Sequence, residues 1–229
     1  MTFILEMDKI SDVRRYQIHI TIIMIKHLKT TQEQLDYIKA NPAFISGFTS
    51  GEGCFTAYLG IDTTLLWGLQ PSFEFSITQN TGDLNLLTAF RLYFDSIGNL
   101  YDKKDGVSVY MVRNAINIKN IIIPFFLEHP LVGTKSIELE IFMLFMDLVL
   151  NKKHLGPSLE NRDAFIAMAE LTRKLNSKRI NPAKLHRTEY IVNWLKSLQG
   201  IPSLEQKNTM KENLKTELIN LKKTGPTKA

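Results

Sequence analysis

The chain has 229 residues, 44% hydrophobic and 22% charged, which suits one generous folded domain or one domain with extensions. Its single cysteine, Cys54, excludes an internal disulfide framework and suits a reducing compartment, and the scattered His19, His27, His129, His154 and His186 show no zinc-like pairing. A net charge of +5 invites a nucleic-acid partner, yet residues 173–229 hold 13 Lys or Arg against 4 Glu while the rest holds 15 against 19 acids.

Residues 1–40 read as an N-terminal extension. Arg14 and Arg15 mix with Glu6, Asp8 and Asp12, unlike an acid-poor transit peptide. The run Ile18–Ile25 contains His19 and is too short to cross a membrane, so no membrane partner is expected. Thr30–Lys39 suits a short helix, with Thr30 or Thr31 as cap and Glu33 in its first turn. Asn41-Pro42 then breaks the chain before a compact apolar run, Ala43–Ser50.

After Gly53 the apolar period changes to two. Phe55, Ala57 and Leu59 alternate with Thr56 and Tyr58, and in Ser72–Gln79 the residues Phe73, Phe75 and Ile77 form one face against Ser72, Glu74, Ser76 and Thr78. A helix is predicted over Gly82–Ile97, with Thr81 as cap, Asp83 in its first turn and Gly98 as its stop. Strands Asn99–Lys103 and Val107–Arg113 flank an Asp105-Gly106 hairpin turn. Helical patterns return at about 134–150, 159–176 and 187–199, separated by Gly156-Pro157 and Asn181-Pro182. The order predicts an α+β domain over 41–200, an antiparallel sheet with helices on one face and a polar, open opposite face. Residues 201–229 read as a basic C-terminal tail, a charge run that also fits a solvated helix.

The segment Ala43-Phe44-Ile45-Ser46-Gly47-Phe48-Thr49-Ser50-Gly51-Glu52-Gly53-Cys54-Phe55 carries the chemistry. As a helix it sets Ala43, Gly47 and Gly51 on one stripe, where small residues let two helix backbones approach. Two glycines cost a helix roughly 2 kcal/mol relative to alanine, which close packing must offset. Glu52 then stands at the helix C-terminus, where the macrodipole disfavours an anion. A second copy packed on the stripe would bring two such carboxylates together, an arrangement that needs a cation; carboxylate oxygens are natural Mg²⁺ ligands. An ordinary Gly-Glu-Gly turn with an exposed Glu fits the same residues.

Ile45-Ser46-Gly47-Phe48-Thr49-Ser50-Gly51-Glu52-Gly53, followed by Cys54-Phe55, resembles the nine-residue motif of the LAGLIDADG homing endonucleases. Both family glycines and the final acid are kept; Ser50 replaces the earlier acid, at a helix-capping or interface position. Phe75-Ser76-Ile77-Thr78-Gln79 resembles the family's second strand, and Pro130-Leu131-Val132-Gly133-Thr134-Lys135 its Pro-Leu-x-Gly-x-Lys segment. The resemblance, over about residues 43–200, implies a saddle-shaped αββαββα fold and Mg²⁺-dependent hydrolysis of DNA. It implies Glu52 and Gly51 as metal ligands, Glu52, Gln79 and Lys135 as the catalytic set, and Ala43, Gly47, Ser50 and Gly51 at a dimer interface. No second motif follows residue 53, so the resemblance is to the one-motif form, which needs a two-fold homodimer and a long, near-palindromic duplex target. Base reading falls to strand residues taken as outward: Thr56, Tyr58, Ser72, Glu74, Ser76, Thr78, Tyr101, Lys103, Ser108, Tyr110 and Arg113.

Residues 55–113 hold four basic side chains against six acidic ones, a poor balance for gripping phosphates. A non-cutting relative that binds intron or ribosomal RNA is therefore the alternative, and a purely structural symmetric dimer a third. The family is commonly encoded inside organelle introns, which implies a mitochondrion sooner than a chloroplast.

Overall fold

The computed structural model describes residues 28–175 and 182–224; the run Ile18–Ile25 and Asn181 lie outside them. Helices α1 (Thr31–Ala40) and α2 (Ala43–Glu52) lead into strands β1 (Gly53–Ile61) and β2 (Leu69–Asn80). Helix α3 (Leu84–Tyr93) and strands β3 (Asn99–Lys103) and β4 (Val107–Val112) follow. A helical stretch from Ala115, with a π-helical turn at Ile118–Ile122, runs into α4 (Ile123–Glu128). Then come α5 (Thr134–Leu150), α6 (Leu159–Lys174), α7 (Pro182–Ser197) and α8 (Leu204–Thr224).

Local signals fix several of these boundaries. Thr30 and Glu33 form the reciprocal cap of α1: the Thr30 hydroxyl accepts from the Glu33 amide, and the Glu33 carboxylate accepts from the Thr30 amide. Leu35 and Ile38 of α1 are buried, and α1 packs on α3, so this stretch of the N-terminal extension is part of the core. Asp105 (φ 80°) and Gly106 (φ 70°) make the left-handed pair of the β3–β4 hairpin, with Lys104 as a third loop residue.

The expected Gly82–Ile97 helix is shorter at both ends. Asn80, not Thr81, caps it: its Oδ1 accepts from the Gly82 amide at 2.9 Å above a 3₁₀ turn over Thr81–Asp83. The Thr81 hydroxyl pairs instead with the Ser108 hydroxyl oxygen, 3.2 Å away. Asp95 (φ 52°) and Ser96 (φ 61°) end the helix, and Gly98 (φ 73°) turns the chain into β3, where a Cβ would lie 2.5 Å from the Met111 carbonyl oxygen. Helix α7 starts at Pro182, earlier than residue 187, because proline suits a first helical position. Residues read as a basic tail form α8, whose Met210 and Leu214 are buried one turn apart.

All four strands pair antiparallel in the order β1-β2-β4-β3. One face, with Phe55, Ala57, Leu59, Phe75, Ile77, Tyr110 and Val112, is buried under α3, α5 and α6. Phe55 meets Phe142 of α5 at 5.3 Å between ring centroids, and Phe75 meets Phe126 of α4 at 5.5 Å. Burial of each such ring contributes about 1.5–3 kcal/mol, which makes this layer the anchor of the sheet. Tyr58 and Tyr101, on the other face, stay nearly half exposed.

One half-buried titratable group sits behind this core. His154 follows α5, lies edge-on to Phe165, and has a buried Nδ1 without a hydrogen-bond partner. Burial lowers its pKa below the ordinary 6.5, against a smaller raising effect of a backbone hydrogen bond at Leu148. The unfolded chain therefore binds a proton near pH 6.5 that the folded chain refuses. Its contribution to stability is complete above about pH 6.5 and falls as the pH drops below that value towards the lower folded pKa. Urea midpoints measured from pH 7.5 to 5 should decline, and His154→Phe should flatten that slope.

Candidate functional site

Helix α2 buries Ile45, Ser46 and Thr49, and the Ser46 hydroxyl donates to the His129 carbonyl oxygen at 2.6 Å, fastening α2 to the end of α4. Its opposite stripe, Ala43, Gly47 and Gly51, faces outward, and among the described residues nothing lies within 4 Å of a Cβ built on either glycine. Packing within one copy therefore does not require these glycines. Ser50 is half-buried and its hydroxyl donates to the Ser46 carbonyl at 2.8 Å, within the helix.

Glu52 is the last residue of α2 and Gly53 the first of β1, with no loop between them. Such a junction leaves the chain no slack. A Cβ on Gly53 would stand 2.4 Å from Thr49 Cγ2 and 2.6 Å from the Thr49 carbonyl oxygen. Glu52 is exposed at the helix end, where carbonyls of the last turn lack in-helix donors.

Lys135, near the start of α5, reaches this junction. Its Nζ donates to the Gly53 carbonyl at 2.9 Å and to Glu138 Oε2 at 2.6 Å, with both side chains largely buried. Glu138 is absent from the sequence-based site, although Lys-x-x-Glu spacing on a helix is a legible signal for such a pair. Gln79 lies two residues beyond Ile77, the register partner of Gly53, which puts it at the same end of the sheet as Glu52. Its side chain has the parity of the core face, and its Oε1 accepts from the Asn80 amide at 2.8 Å.

The donors around Glu52 are hard oxygens, the kind a small divalent cation prefers. Among the described residues no three His, Cys, Asp or Glu gather into a group able to hold a metal. One copy thus offers Glu52 and neighbouring carbonyls, which fit part of an oxygen-lined cation site and leave the rest to a second set of donors.

Register assigns the open face of the sheet. Thr56 and Tyr58 of β1 stand beside Glu74 and Ser72 of β2; Ser76 and Thr78 continue the row towards Met111 and Val109 of β4, then Tyr101 and Lys103 of β3. Arg113 joins this face through a 2.9 Å ion pair with Glu74. Ser108 and Tyr110 do not belong to it: their neighbours in register are Gln79 and Ile77, and both are fully buried on the core side. The Ser108 hydroxyl donates to Asp102 at 2.6 Å, and burial pushes the Tyr110 hydroxyl pKa strongly upward. Two cations missed by sequence reading border this face. Arg187 Nη2 donates to the Leu59 carbonyl at 2.7 Å beside Tyr58, and Lys207 Nζ donates to the Leu65 carbonyl at 3.0 Å.

Residues 45–146 match the LAGLIDADG endonuclease family. Over 170 residues the chain is 32% identical to the Neurospora crassa protein "Probable intron-encoded endonuclease 2"; the match covers 72% of this chain and 37% of that relative's length. The fold is similar to that of the homing endonuclease I-TnaI, with a TM-score of 0.58 at 28% identity, covering 66% of this chain and 97% of that one. It is also similar to the meganuclease I-SmaMI bound to uncleavable DNA, with a TM-score of 0.56 at 26% identity, covering 61% of this chain and 45% of that one.

The glycines make separable predictions. Gly53→Ala should lower folding stability by about 1–3 kcal/mol, because the Cβ meets the Thr49 backbone as well as its stiff, β-branched side chain. Gly47→Ala, in open space mid-helix, should raise the stability of the dilute chain by up to about 1 kcal/mol. Urea unfolding of both variants at low protein concentration checks the contrast.

Proposed function

From a LAGLIDADG endonuclease segment at residues 45–146, we propose that this chain is a site-specific, double-strand DNA endonuclease of the homing type, working with Mg²⁺ as a symmetric homodimer. The observation that carries the reading is the outward Ala43/Gly47/Gly51 stripe ending at Glu52: among the described residues none lies within 4 Å of a Cβ built on either glycine, which leaves room for another helix. A second copy seated there supplies the second Glu52, and two-fold symmetry then favours a long, near-palindromic target.

In this reading Glu52 and the Gly51 carbonyl of each copy would hold the metal. When bound, Mg²⁺ supplies activation of a water and stabilisation of the leaving oxygen. Lys135, held at the Gly53 carbonyl, offsets charge on the phosphate; Glu138 keeps its ammonium in place; Gln79 positions solvent at the sheet end. Thr56, Tyr58, Ser72, Glu74, Thr78, Tyr101, Lys103 and Arg113 present hydroxyl, carboxylate and cationic groups to base edges along the open face, whereas Ser76, expected to join them, is buried among its neighbours there. The relative from Neurospora crassa named as a probable intron-encoded endonuclease supports an organelle genome as the source, a mitochondrion sooner than a chloroplast. The competing reading, an RNA-binding relative that does not cut, is favoured by one observation, the acidic balance of residues 55–113.

Cleavage of a randomised duplex library with Mg²⁺, comparing wild type with Glu52→Gln, tests the proposal. Discrete near-palindromic cuts are expected, slowed at least about 100-fold in the variant while duplex binding persists. Absence of cutting by a folded, dimeric wild type, together with salt-dependent RNA binding, would sink the nuclease reading. On the selected site, Lys135→Met should slow cleavage about 100-fold with little change in affinity.

A further inference from the structure

The loop joining β1 to β2 is held from outside the sheet. Lys207 of α8 is almost fully buried: its stem lies over Gly68, where a Cβ would be 3.0 Å from Lys207 Cγ, and its amine donates to the Leu65 carbonyl. Within the loop, Asp62 accepts from the Thr64 hydroxyl at 2.6 Å and amide at 3.0 Å. Those hydrogen bonds, with smaller help from Lys211 and Lys207, hold its carboxyl below the usual range. On α7, Arg187 grips the Leu59 carbonyl near the end of β1. Helices α7 and α8 are thereby fastened to the sheet end opposite Glu52.

Four-residue spacing puts Lys207, Lys211 and Lys215 on one stripe of α8. Lys207 is committed to the loop, whereas Lys211 and Lys215 are exposed. Lys215 approaches Glu212 at 3.6 Å, an exposed pair that leaves its charge available. Glu217 is turned to the other side of the helix, against His186 of α7. Among the described side chains of α8, Lys207, Lys211 and Lys215 thus share the side that meets the β1–β2 loop, with Glu212 at its border.

Strand β1 has nine residues, so its far end lies about 30 Å from Glu52, the length of about nine base pairs of duplex. Resting on the DNA-endonuclease reading above, we propose that α8, led by Lys211 and Lys215, is a second DNA surface that grips the phosphate backbone flanking the sequence read by the sheet. It supplies the cations that the sheet segment, with four basic against six acidic residues, lacks.

The test uses the full chain and the duplex selected by cleavage, prepared with long flanks and in a version trimmed to the reach of the sheet. Binding is titrated against salt for wild type, Lys211→Ala, Lys211→Arg and the Lys211→Ala/Lys215→Ala pair. On the long duplex, Lys211→Ala should weaken binding about threefold to tenfold and make the slope of log K against log salt shallower by about one unit. Lys211→Arg should restore both, and the double variant should lose more. On the trimmed duplex all four proteins should bind alike, and an unchanged urea midpoint should show intact folding. Equal slopes on the long duplex, an effect that persists after trimming, or an effect seen only with a folded RNA would overturn the proposal. A wild type that binds no duplex overturns the nuclease reading along with it, so the two failures are distinguishable.

Discussion

The architecture turns on one junction, the passage from helix α2 to strand β1 without a loop. Glu52 closes the helix and Gly53 opens the strand, so the carboxylate and the first rung of the sheet are one covalent unit. Only glycine allows it, because Thr49, one turn back, occupies the space a side chain would need. Lys135 then bonds the carbonyl of that same glycine, bringing the start of α5 to the same point. Any movement of α2 relative to the sheet must break this contact or bend the strand, and the register of β1 with β2 resists bending over nine paired residues.

That rigidity accounts for the division of labour between the two sides of α2. Ile45, Ser46 and Thr49 are inside, and the glycine stripe is outside with open space before it. Glycine inside a helix is unfavourable by about 1 kcal/mol per residue, a cost the isolated copy does not recover. A partner helix packed closely on the stripe would recover it and would also bring two exposed Glu52 carboxylates to one axis. Under the proposed function, dimerisation and cation binding would be coupled, because the repulsion created by the first is what the second would relieve.

Much of this was readable in the residues, because the strongest signals are local. The Thr30/Glu33 cap, the Asp105-Gly106 turn and the bounds of β3 and α5 need no tertiary information, and the motif named the α2–β1 junction. What escaped was non-local. Ser108 and Tyr110 look like polar, outward strand residues, but β4 is a central strand buried on both sides, with Val109 covered on the open face and Tyr110 covered in the core. In such a strand alternation of polarity carries no face information, and only the pairing with Ile77 and Gln79 resolves it. Asn80 won the cap from Thr81 for a similar reason, since Ser108, distant in sequence, engages the Thr81 hydroxyl. Lys207 was hidden in a charge run; that a lysine should be buried on a loop carbonyl is visible only when the loop is present.

The placement of cations follows from the chemistry at the junction. A lysine near Glu52 lowers the local demand for a divalent ion, and the one that is there, Lys135, is matched by Glu138. Further cations on the sheet would strengthen the hold on phosphate and, in the same stroke, compete with the metal for the carboxylate. At physiological salt the screening length is about 8 Å, so a lysine on α8, about 30 Å along β1, leaves the field at Glu52 untouched while adding fully to backbone attraction. Affinity and cation occupancy can then be set independently. Under the proposed reading, the acidic balance of residues 55–113 is then compatible with a nucleic-acid partner, because the cations that hold the phosphate backbone need not lie on the sheet.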